Sequence, residues 1–201
     1  MDPIAEEDAL RRRVKAELRT RMRGVRRALP AEARAVRSGR IWERVLAREE
    51  WASAKTVMLF LSMRTEIDTS TAAKVAWDAG KRVCAPRVTE SGLAVHEWQR
   101  DVVPVESGSM RVPEPPEDSP LVDPSEVDLV IVPALVLDER GARIGYGAGY
   151  YDHLLPRLTR AVRVGVVFDF QLVAEVPETA GDERVHVVVT DERVIEVLRS
   201  P

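Results

Sequence analysis

The chain has little of several features that would assign it to a compartment or a reaction class. Its 201 residues contain one cysteine, Cys84, so no internal disulfide can form, and we interpret this thiol as buried, reduced and structural. No apolar run reaches the length of a transmembrane helix, and the acidic first residues lack the apolar core of a signal peptide. We therefore expect a cytoplasmic protein with no membrane partner.

Motifs for nucleophilic catalysis and for histidine metal sites are also missing. No G-x-S-x-G nucleophile elbow occurs, and His96, His153 and His186 have neither metal-ligand spacing nor cysteine neighbours. We expect surface or packing roles for these histidines. The net charge of −3 gives no overall nucleic-acid signature. These absences exclude the commonest hydrolase and zinc-enzyme patterns.

What the chain does have is an alternation of helix-like and strand-like segments. Apolar residues recur every three or four positions from Leu10 to Leu29, which predicts an amphipathic helix with one core-facing stripe that ends at Pro30. Three apolar runs are continuous, as is typical of strands buried on both faces: 127–137, 162–168 and 185–190. We predict a single α/β domain over 1–201, with three layers and a mainly parallel, helix-covered sheet behind a basic N-terminal helix.

Shorter segments complete this prediction. Further helices are expected at 31–48, 69–79 and 192–199, and further strands at 56–62, 82–85 and 93–98, with Pro86 ending the second of these strands. The stretch from Pro104 to Pro124 holds six of the thirteen prolines and fits either a domain linker or an ordered surface loop. The strands on either side resemble parts of one sheet, which favours the loop.

The most distinctive segment is Gly145-Tyr-Gly-Ala-Gly-Tyr-Tyr-Asp152, which follows a predicted strand and precedes an apolar helical start. Glycines let backbone N–H groups close around an anion, and a helix start adds further donors. The spacing matches neither G-x-G-x-x-G nor a P-loop, so a glycine-rich surface turn is the alternative to phosphate binding. Arg143 can pair with phosphate oxygens, and Asp152 is a hard ligand suited to Mg²⁺ beside a triphosphate.

The predicted first helix is strongly basic. Between Arg11 and Arg27 it has nine lysines and arginines against one acid, which indicates either a solvated face or a face that binds RNA or phosphate. Lys15 and Arg19 are four residues apart and project from the same side, so both can reach one polyphosphate. No aromatic residues interleave with this patch, which weakens a single-stranded nucleic-acid interpretation.

Two acidic residues, Glu66 and Asp182, can be interpreted from their positions relative to the predicted strands. Glu66 lies just beyond a predicted strand, where ligands of open α/β sheets bind. Charge at a helix N-terminus is the alternative for Glu66, with Asp68 or Thr69 as the cap. Asp182 precedes the last strand, so its position alone indicates a turn residue.

These motifs, in this order, resemble those of the 5-formyltetrahydrofolate cyclo-ligase family. The likeness extends over nearly the whole chain, and the glycine-tyrosine-tyrosine-aspartate segment is specific to that family. The segments and residues that match the family are Lys15-x-x-x-Arg19, Phe60 to Thr69, Arg82 to Pro86, Val112 to Pro115, Val132-Pro133, Asp138 to Asp152, Phe168 to Gln171, Val176-Pro177 and Asp182.

The resemblance implies an ATP- and Mg²⁺-dependent ring closure of 5-formyltetrahydrofolate to 5,10-methenyltetrahydrofolate, with ADP and phosphate released and no protein nucleophile. It implies ATP contacts from Lys15, Arg19, Arg143, Ile144, Gly145, Tyr146, Gly147, Ala148, Gly149, Tyr150 and Tyr151. It implies folate contacts from Leu61, Glu66, Tyr146, Gly147, Ala148, Gly149 and Tyr150. Asp152 and Asp182 become the expected Mg²⁺ ligands, which replaces the turn interpretation of Asp182.

Two other functions are compatible with parts of this pattern. One is a catalytically silent paralogue that binds folate or nucleotide, against which the intact charged site residues argue. The other is an RNA-binding protein that uses the basic first helix, against which the lack of stacking aromatics argues. We expect small-molecule substrates, no nucleic-acid partner and a monomer.

Overall fold

The structure is a computed structural model that describes residues 3–107 and 111–197. Its strands, in chain order, are β1 (Thr56–Met58), β2 (Arg82–Thr89), β3 (Gly92–Glu97), β4 (Val105–Ser107), β5 (Val112–Glu114), β6 (Leu129–Pro133), β7 (Val136–Asp138), β8 (Arg143–Ile144), β9 (Val162–Val166), β10 (Leu172–Val173), β11 (Val187–Val189) and β12 (Val194–Glu196). Its α-helices are α1 (Pro3–Ala28), α2 (Ala31–Leu46), α3 (Glu49–Ser53), α4 (Ser70–Asp78) and α5 (Tyr150–Leu154). Short 3₁₀ helices lie at Pro124–Glu126, Leu155–Arg157 and Asp169–Gln171.

A seven-stranded sheet in the order β12-β11-β9-β6-β1-β2-β3 forms the centre of the described part of the chain. The strands from β11 to β2 are parallel to their neighbours, whereas β12 and β3 run antiparallel at the two edges. The chain moves from β1 towards β3 in one direction and then returns to β6 on the other side of β1. The order of the strands therefore reverses between β1 and β6. The predicted mainly parallel sheet is confirmed.

Successive residues of the inner strands pack into two different apolar cores, one on each face of the sheet. Val57 and Ile131 belong to the core under α2 and α4, while their neighbours Met58 and Val130 belong to the opposite core under α5. Because side chains alternate along a strand, a strand covered on both faces needs apolar residues at every position. This explains the continuous apolar runs, and it confirms the helix-covered, layered architecture.

Helix α1 packs on a second, three-stranded sheet of order β10-β7-β8. Met22 is buried there against Val136 and Ile144, with Leu18 beside it. The predicted apolar stripe is wrong at Leu10, which is 59% exposed, and at Val25, which is 43% exposed. The buried side of α1 instead carries Lys15, Met22 and Arg26, spaced seven and four residues apart. On this side Met22 packs in the apolar core, whereas Lys15 and Arg26 donate hydrogen bonds to polar side chains, Thr179 and Thr65.

Three predicted segments differ from the structure. Strand β2 continues through Pro86 to Thr89, because Pro86 lies opposite Val95 of the edge strand β3 and needs no further ladder partner. The run 127–137 is two strands in different sheets, β6 and β7. The predicted tail helix is wrong over its described part, where β12 pairs with β11, and residues 198 and 199 lie outside the described residues.

The proline-rich stretch contains a hairpin in its described part. Strands β4 and β5 pair with each other, and β5 contacts β2 of the main sheet. Glu114 attaches the hairpin, because its Oε1 accepts a hydrogen bond of 3.2 Å from the backbone N–H of Val88. Across the described residues, no helix is both long enough and apolar enough to cross a bilayer.

Candidate active site

A cleft of ≈ 480 Å³ opens beyond the carboxyl ends of β1 and β6, where the strand order reverses. Phe60 and Leu61, which follow β1, and Pro133, which ends β6, form its floor. Parallel sheets bind ligands at such switch points, because the loops that leave adjacent strands diverge there. The fold itself therefore makes this cleft the first candidate for a substrate site.

Every residue that the sequence predicted for the site lines this one cleft. These residues come from α1, from the turn after β1, from β8, the glycine loop and the start of α5, and from the turn before β11. They are Lys15, Arg19, Leu61, Glu66, Arg143, Ile144, Gly145, Tyr146, Gly147, Ala148, Gly149, Tyr150, Tyr151, Asp152 and Asp182. Residues up to 167 positions apart thus meet in a single pocket, as in the contact between Lys15 and Asp182.

Helix α1 fixes the glycine loop, residues 145–149. Arg19 Nε donates to the carbonyl oxygen of Gly145 at 3.0 Å, and Arg23 Nη2 donates to that of Tyr146 at 3.2 Å. Gly147 has φ 113° and Gly149 has φ 71°, conformations that L side chains rarely adopt. The helical start that follows, α5, is only five residues long. The loop backbone is therefore held by arginines of α1 and by glycine geometry.

At one end of the cleft, Lys15 and Asp182 form an ion pair. Lys15 Nζ donates to the carboxylate of Asp182 and, at 3.0 Å, to Thr179 Oγ1. The backbone N–H of Thr179 donates to the same carboxylate at 2.6 Å. Burial opposes ionisation of Asp182, but the hydrogen bonds from Lys15 and Thr179 outweigh it and hold the pKa of this carboxyl below its usual value.

A second ion pair lies beside the first. Arg143 Nη2 donates to Asp152 Oδ1 at 2.7 Å, and the backbone N–H of Glu183 donates to the same oxygen at 3.1 Å. The Arg143 side chain is only 4% exposed. Burial lowers the pKa of Arg143, and the negative charge of Asp152 opposes this shift. The cleft thus has two cations and two carboxylates, already paired with each other, at this end.

The donor set at this end suits a magnesium ion held partly by a ligand. Each carboxylate has one oxygen, Asp152 Oδ2 and Asp182 Oδ1, that receives no hydrogen bond from any described residue. Carboxylate oxygens are preferred Mg²⁺ ligands, and Mg²⁺ commonly binds through one or two of them plus phosphate oxygens and water. Nowhere among the described residues do three acidic, histidine or cysteine side chains converge as a complete metal site. Asp152 and Asp182 therefore fit a metal that arrives with a phosphate ligand.

The other end of the cleft is built around one buried carboxylate. Glu66 is 7% exposed, and its Oε1 accepts a hydrogen bond of 2.7 Å from the Tyr146 hydroxyl. Its Oε2 accepts one of 2.8 Å from the backbone N–H of Met63. Burial raises the pKa of Glu66, while the positive charge of Arg26 opposes this shift. Burial also raises the pKa of Tyr146, so this phenol stays a neutral donor.

The remaining wall of the cleft is apolar and comes from β2, β3 and the β4–β5 hairpin. Its residues are Pro86, Val88, Leu93, Val112 and Pro113. A flat, aromatic-like ligand can lose much of its water-exposed surface against such a wall. The cleft therefore combines a charged end, a hydrogen-bonding end and an apolar side.

The sequence interpretation missed two residues of the site: Thr179, which lines the cleft, and Arg26, which contacts the lining residues Tyr146 and Glu66. Arg26 contacts Tyr146 and Glu66 at the hydrogen-bonding end, and Thr179 contacts Lys15 and Asp182 at the charged end. Arg26 lies seven residues, or about two helical turns, after Arg19, so helical spacing could have placed it on the same side of α1. No local pattern marks Thr179, because its role depends on a turn that brings it to Lys15.

The fold and the cleft define an α/β protein with a candidate ligand site at the switch point of its sheet. Comparison with known proteins identifies the family. The family model described as the 5-formyltetrahydrofolate cyclo-ligase family matches residues 11–191. The chain therefore belongs to the 5-formyltetrahydrofolate cyclo-ligase family.

Individual relatives agree with this assignment over most of their length. The 5-formyltetrahydrofolate cyclo-ligase of Escherichia coli K12 is 32% identical over 180 residues, which cover 85% of this chain and 97% of the relative. The cyclo-ligase of Mycolicibacterium smegmatis is 32% identical over 200 residues, which cover 93% and 98%. The solved structure of Aquifex aeolicus 5,10-methenyltetrahydrofolate synthetase is similar with a TM-score of 0.82 at 28% identity, covering 94% of this chain and 95% of that one.

Proposed function

We propose that this protein catalyses the ATP- and Mg²⁺-dependent cyclisation of 5-formyltetrahydrofolate to 5,10-methenyltetrahydrofolate, with release of ADP and phosphate. One observation carries the proposal: in a chain of this family, every residue expected to contact ATP, folate or metal lines one cleft. ATP and 5-formyltetrahydrofolate must bind side by side, because a phosphoryl group passes from one to the other. The cleft has a charged end for a triphosphate and a hydrogen-bonding end for a pterin.

The triphosphate of ATP would lie against Lys15, Arg19, Arg143 and the backbone of the glycine loop. Arg19 uses Nε to hold the loop, and its two terminal nitrogens have no hydrogen-bond partner among the described residues. A Cβ at Gly147 would lie 3.5 Å from the Arg19 guanidinium carbon, so glycine leaves the approach to Arg19 open. Arginine forks and loop N–H groups are the usual ligands of phosphate oxygens.

Binding at the charged end requires an exchange of partners. Lys15 and Arg143 are paired with Asp182 and Asp152, the carboxylates that would hold the metal. Nucleotide without metal competes with two carboxylates for the cations, and metal without nucleotide competes with two cations for the carboxylates. Together, the two ligands supply a new partner for each charge. We therefore propose that nucleotide and Mg²⁺ bind with strong positive coupling.

Asp152 Oδ2 and Asp182 Oδ1 would contact the metal, and Arg143 and Lys15 would then turn to the phosphates. A bound Mg²⁺ supplies charge neutralisation and alignment at the transferring phosphoryl group. The chain's own cations share this neutralisation at the same end of the cleft. No protein nucleophile is needed, which agrees with a cleft built from cations, carboxylates and backbone donors.

The folate would present its pterin ring to Glu66 and its formyl group to the triphosphate. The ionised Glu66 would accept hydrogen bonds from pterin N–H donors, and Leu61 and Tyr146 would pack against the ring. Residues 146–150 lie between the two ends, so they can contact both ligands. The glycine loop would therefore set the distance between the γ-phosphate and the formyl oxygen.

The reaction then proceeds in two steps, phosphoryl transfer and ring closure. The formyl oxygen attacks the γ-phosphorus, so a new O–P bond forms and the bond to ADP breaks. N10 next attacks the activated formyl carbon, a C–N bond forms, phosphate leaves with its oxygen, and N10 loses its proton. Such a reaction depends on alignment and charge stabilisation. Holding well-oriented groups together lowers an activation barrier by about 7–11 kcal/mol. The cleft supplies both.

The decisive experiment is an assay of the purified protein with 5-formyltetrahydrofolate, ATP and Mg²⁺, followed by the absorbance of the methenyl product. We expect product only when all three are present, with one ADP formed for each methenyl group. Ligand binding without product would identify a catalytically silent paralogue. Absence of both binding and product would overturn the proposed function.

Part of the basic helix is directed inward, which weakens the RNA-binding alternative. Lys15 and Arg19 line the cleft, Arg26 contacts Thr65 and Tyr146, and Lys15 and Arg26 are almost fully buried. Lys15 and Arg26 therefore do not contribute to an exposed basic surface.

A further inference from the structure

Arg26 is a buried cation that contacts Tyr146 and Glu66, two residues that line the hydrogen-bonding end of the cleft. It is 4% exposed and lies in the last turns of α1. A guanidinium loses favourable hydration on burial, so it is stable there only if charged or polar groups replace water. Its partners therefore indicate what it does.

Each contact of Arg26 leads to the Glu66 carboxylate or to the turn that carries it. Arg26 Nη2 donates to the Tyr146 hydroxyl and, at 3.1 Å, to Thr65 Oγ1, and Nε donates to the same Thr65 oxygen at 3.3 Å. Nη2 also lies 3.9 Å from Glu66 Oε1. The Tyr146 hydroxyl accepts from Arg26 and donates to Glu66, so the three side chains form one chain of hydrogen bonds.

The electrostatic surroundings of Glu66 make Arg26 the balancing charge. Arg26 faces it from α1, Tyr146 from the glycine loop, Tyr151 from α5, and the Met63 N–H from its own turn. Among the described residues, Arg26 is the one cation that pairs with Glu66. Tyr146, Tyr151 and the Met63 N–H are neutral.

We propose that Arg26 is a positioning residue for the folate: it holds Tyr146 against Glu66 and balances the charge of that buried carboxylate. This inference rests on the proposed function, since it assumes that Glu66 receives the pterin. Burial raises the pKa of Glu66, and Arg26 opposes this shift. Without Arg26, Glu66 would take up a proton more readily and lose an acceptor oxygen for the pterin N–H groups.

Three variants test this role. Arg26→Gln removes the charge and keeps hydrogen-bonding capacity, and Arg26→Lys keeps the charge and loses the planar fork. Arg27→Gln is the matched control, because Arg27 is the exposed neighbour on the same helix and has no hydrogen-bond or ion-pair partner within residues 3–107 and 111–197. Binding of 5-formyltetrahydrofolate is measured by calorimetry at stepped pH between about pH 6 and pH 9, because burial raises the pKa of Glu66.

We expect Arg26→Gln to weaken folate binding about tenfold or more, as is typical when a hydrogen-bonded charged partner is lost. The loss should be larger at the acid end of the range, because the variant's Glu66 is protonated to a higher pH than in the wild type. ATP binding should be unchanged. Arg26→Lys should recover the pH dependence of the wild type, and Arg27→Gln should match the wild type throughout.

A loss in Arg26→Gln that is equal at every pH, or no loss, would overturn the charge-balancing role. If Arg26→Gln does not fold, a double-mutant cycle of Arg26→Lys and Tyr146→Phe decides instead. Losses smaller in combination than their sum support the shared hydrogen-bond chain, and additive losses overturn it. A wild-type protein that binds no folate contradicts the proposed function, a result distinct from these outcomes.

Discussion

The two ends of the cleft hold their charges in different ways. At the charged end, Lys15, Asp182, Arg143 and Asp152 pair among themselves, and two carboxylate oxygens accept no hydrogen bond from the described part of the chain. At the hydrogen-bonding end, both oxygens of Glu66 are already engaged. The charged end can release its partners when a ligand arrives. The other end is ordered before binding, which reduces the conformational freedom lost on association.

The largest effect on turnover is expected when a carboxylate is removed from the charged end. Asp152→Asn should lower kcat/KM about hundredfold or more, because the amide is a poor Mg²⁺ ligand and no other group replaces the charge. Thermal stability should also fall, because the buried Arg143 loses the carboxylate that balances its charge, but by far less than turnover. Asp118→Asn, a change at an exposed aspartate outside the cleft, should leave turnover as it is. Full activity of Asp152→Asn would mean that the metal role is wrong.

A second change should alter the coupling between the two ligands of the charged end. Lys15→Met should weaken MgATP binding about tenfold, because one charged phosphate contact is lost. The same variant should bind Mg²⁺ alone more tightly than the wild type, since Asp182 no longer has a competing cation. Calorimetry with each ligand separately measures both effects. Arg21→Gln, at an exposed position of the same helix, serves as the charge-matched control. Equal Mg²⁺ affinity in the wild type and in Lys15→Met would contradict the proposed exchange of partners.

At the hydrogen-bonding end, Tyr146→Phe should have a smaller and more selective effect. It removes the donor to Glu66 and the acceptor for Arg26 while it keeps the aromatic ring. The KM for folate should rise about three- to tenfold, the range expected for one net hydrogen bond, and kcat should change little. Steady-state kinetics with each substrate varied in turn separates the two. A rise in the KM for ATP alone would reverse our assignment of the two ends.

The smallest expected effect concerns stability in acid. The pKa of Asp182 is lowered in the folded protein, so its ion pair stabilises the fold above the usual aspartate pKa and is lost as pH falls through the lowered value. Asp182→Asn should therefore flatten the loss of unfolding free energy below about pH 4, by less than about 1 kcal/mol because Asp182 is partly exposed and solvent screens its charge. Urea titrations at stepped pH measure this. A slope identical to that of the wild type would show that the pair gives no net stability.

The sequence predicted much of the fold, because strands buried on both faces need apolar residues at every position. The runs around Leu129 and Val164 were recognised as strands for this reason, although boundaries were missed where the chain changes sheets after Pro133. The tail was predicted as a helix, but Val194 to Glu196 pairs with β11. Its helical period is a weak local preference, and pairing with the edge of the sheet outweighs it.

The sequence predicted the contiguous part of the site but missed a contact between distant residues. The glycine loop with Arg143 and Asp152 is contiguous, so its residues could be placed together from the sequence. Arg26 could not be connected with Glu66, because their contact depends on how α1 lies across the turn after β1. Likewise, the apolar spacing of α1 favoured a buried stripe that included Leu10 and Val25, which the structure leaves exposed.

By itself, the sequence determined the layered α/β fold, the family pattern and the identity of the predicted cleft residues, because these depend on local periodicity and on contiguous motifs. Only the tertiary structure decided which charges are partners. It paired Lys15 with Asp182 and Arg143 with Asp152, and it assigned Arg26 to Glu66. The physical reason is that electrostatic pairing depends on distance and burial in space, and neither follows from separation along the chain.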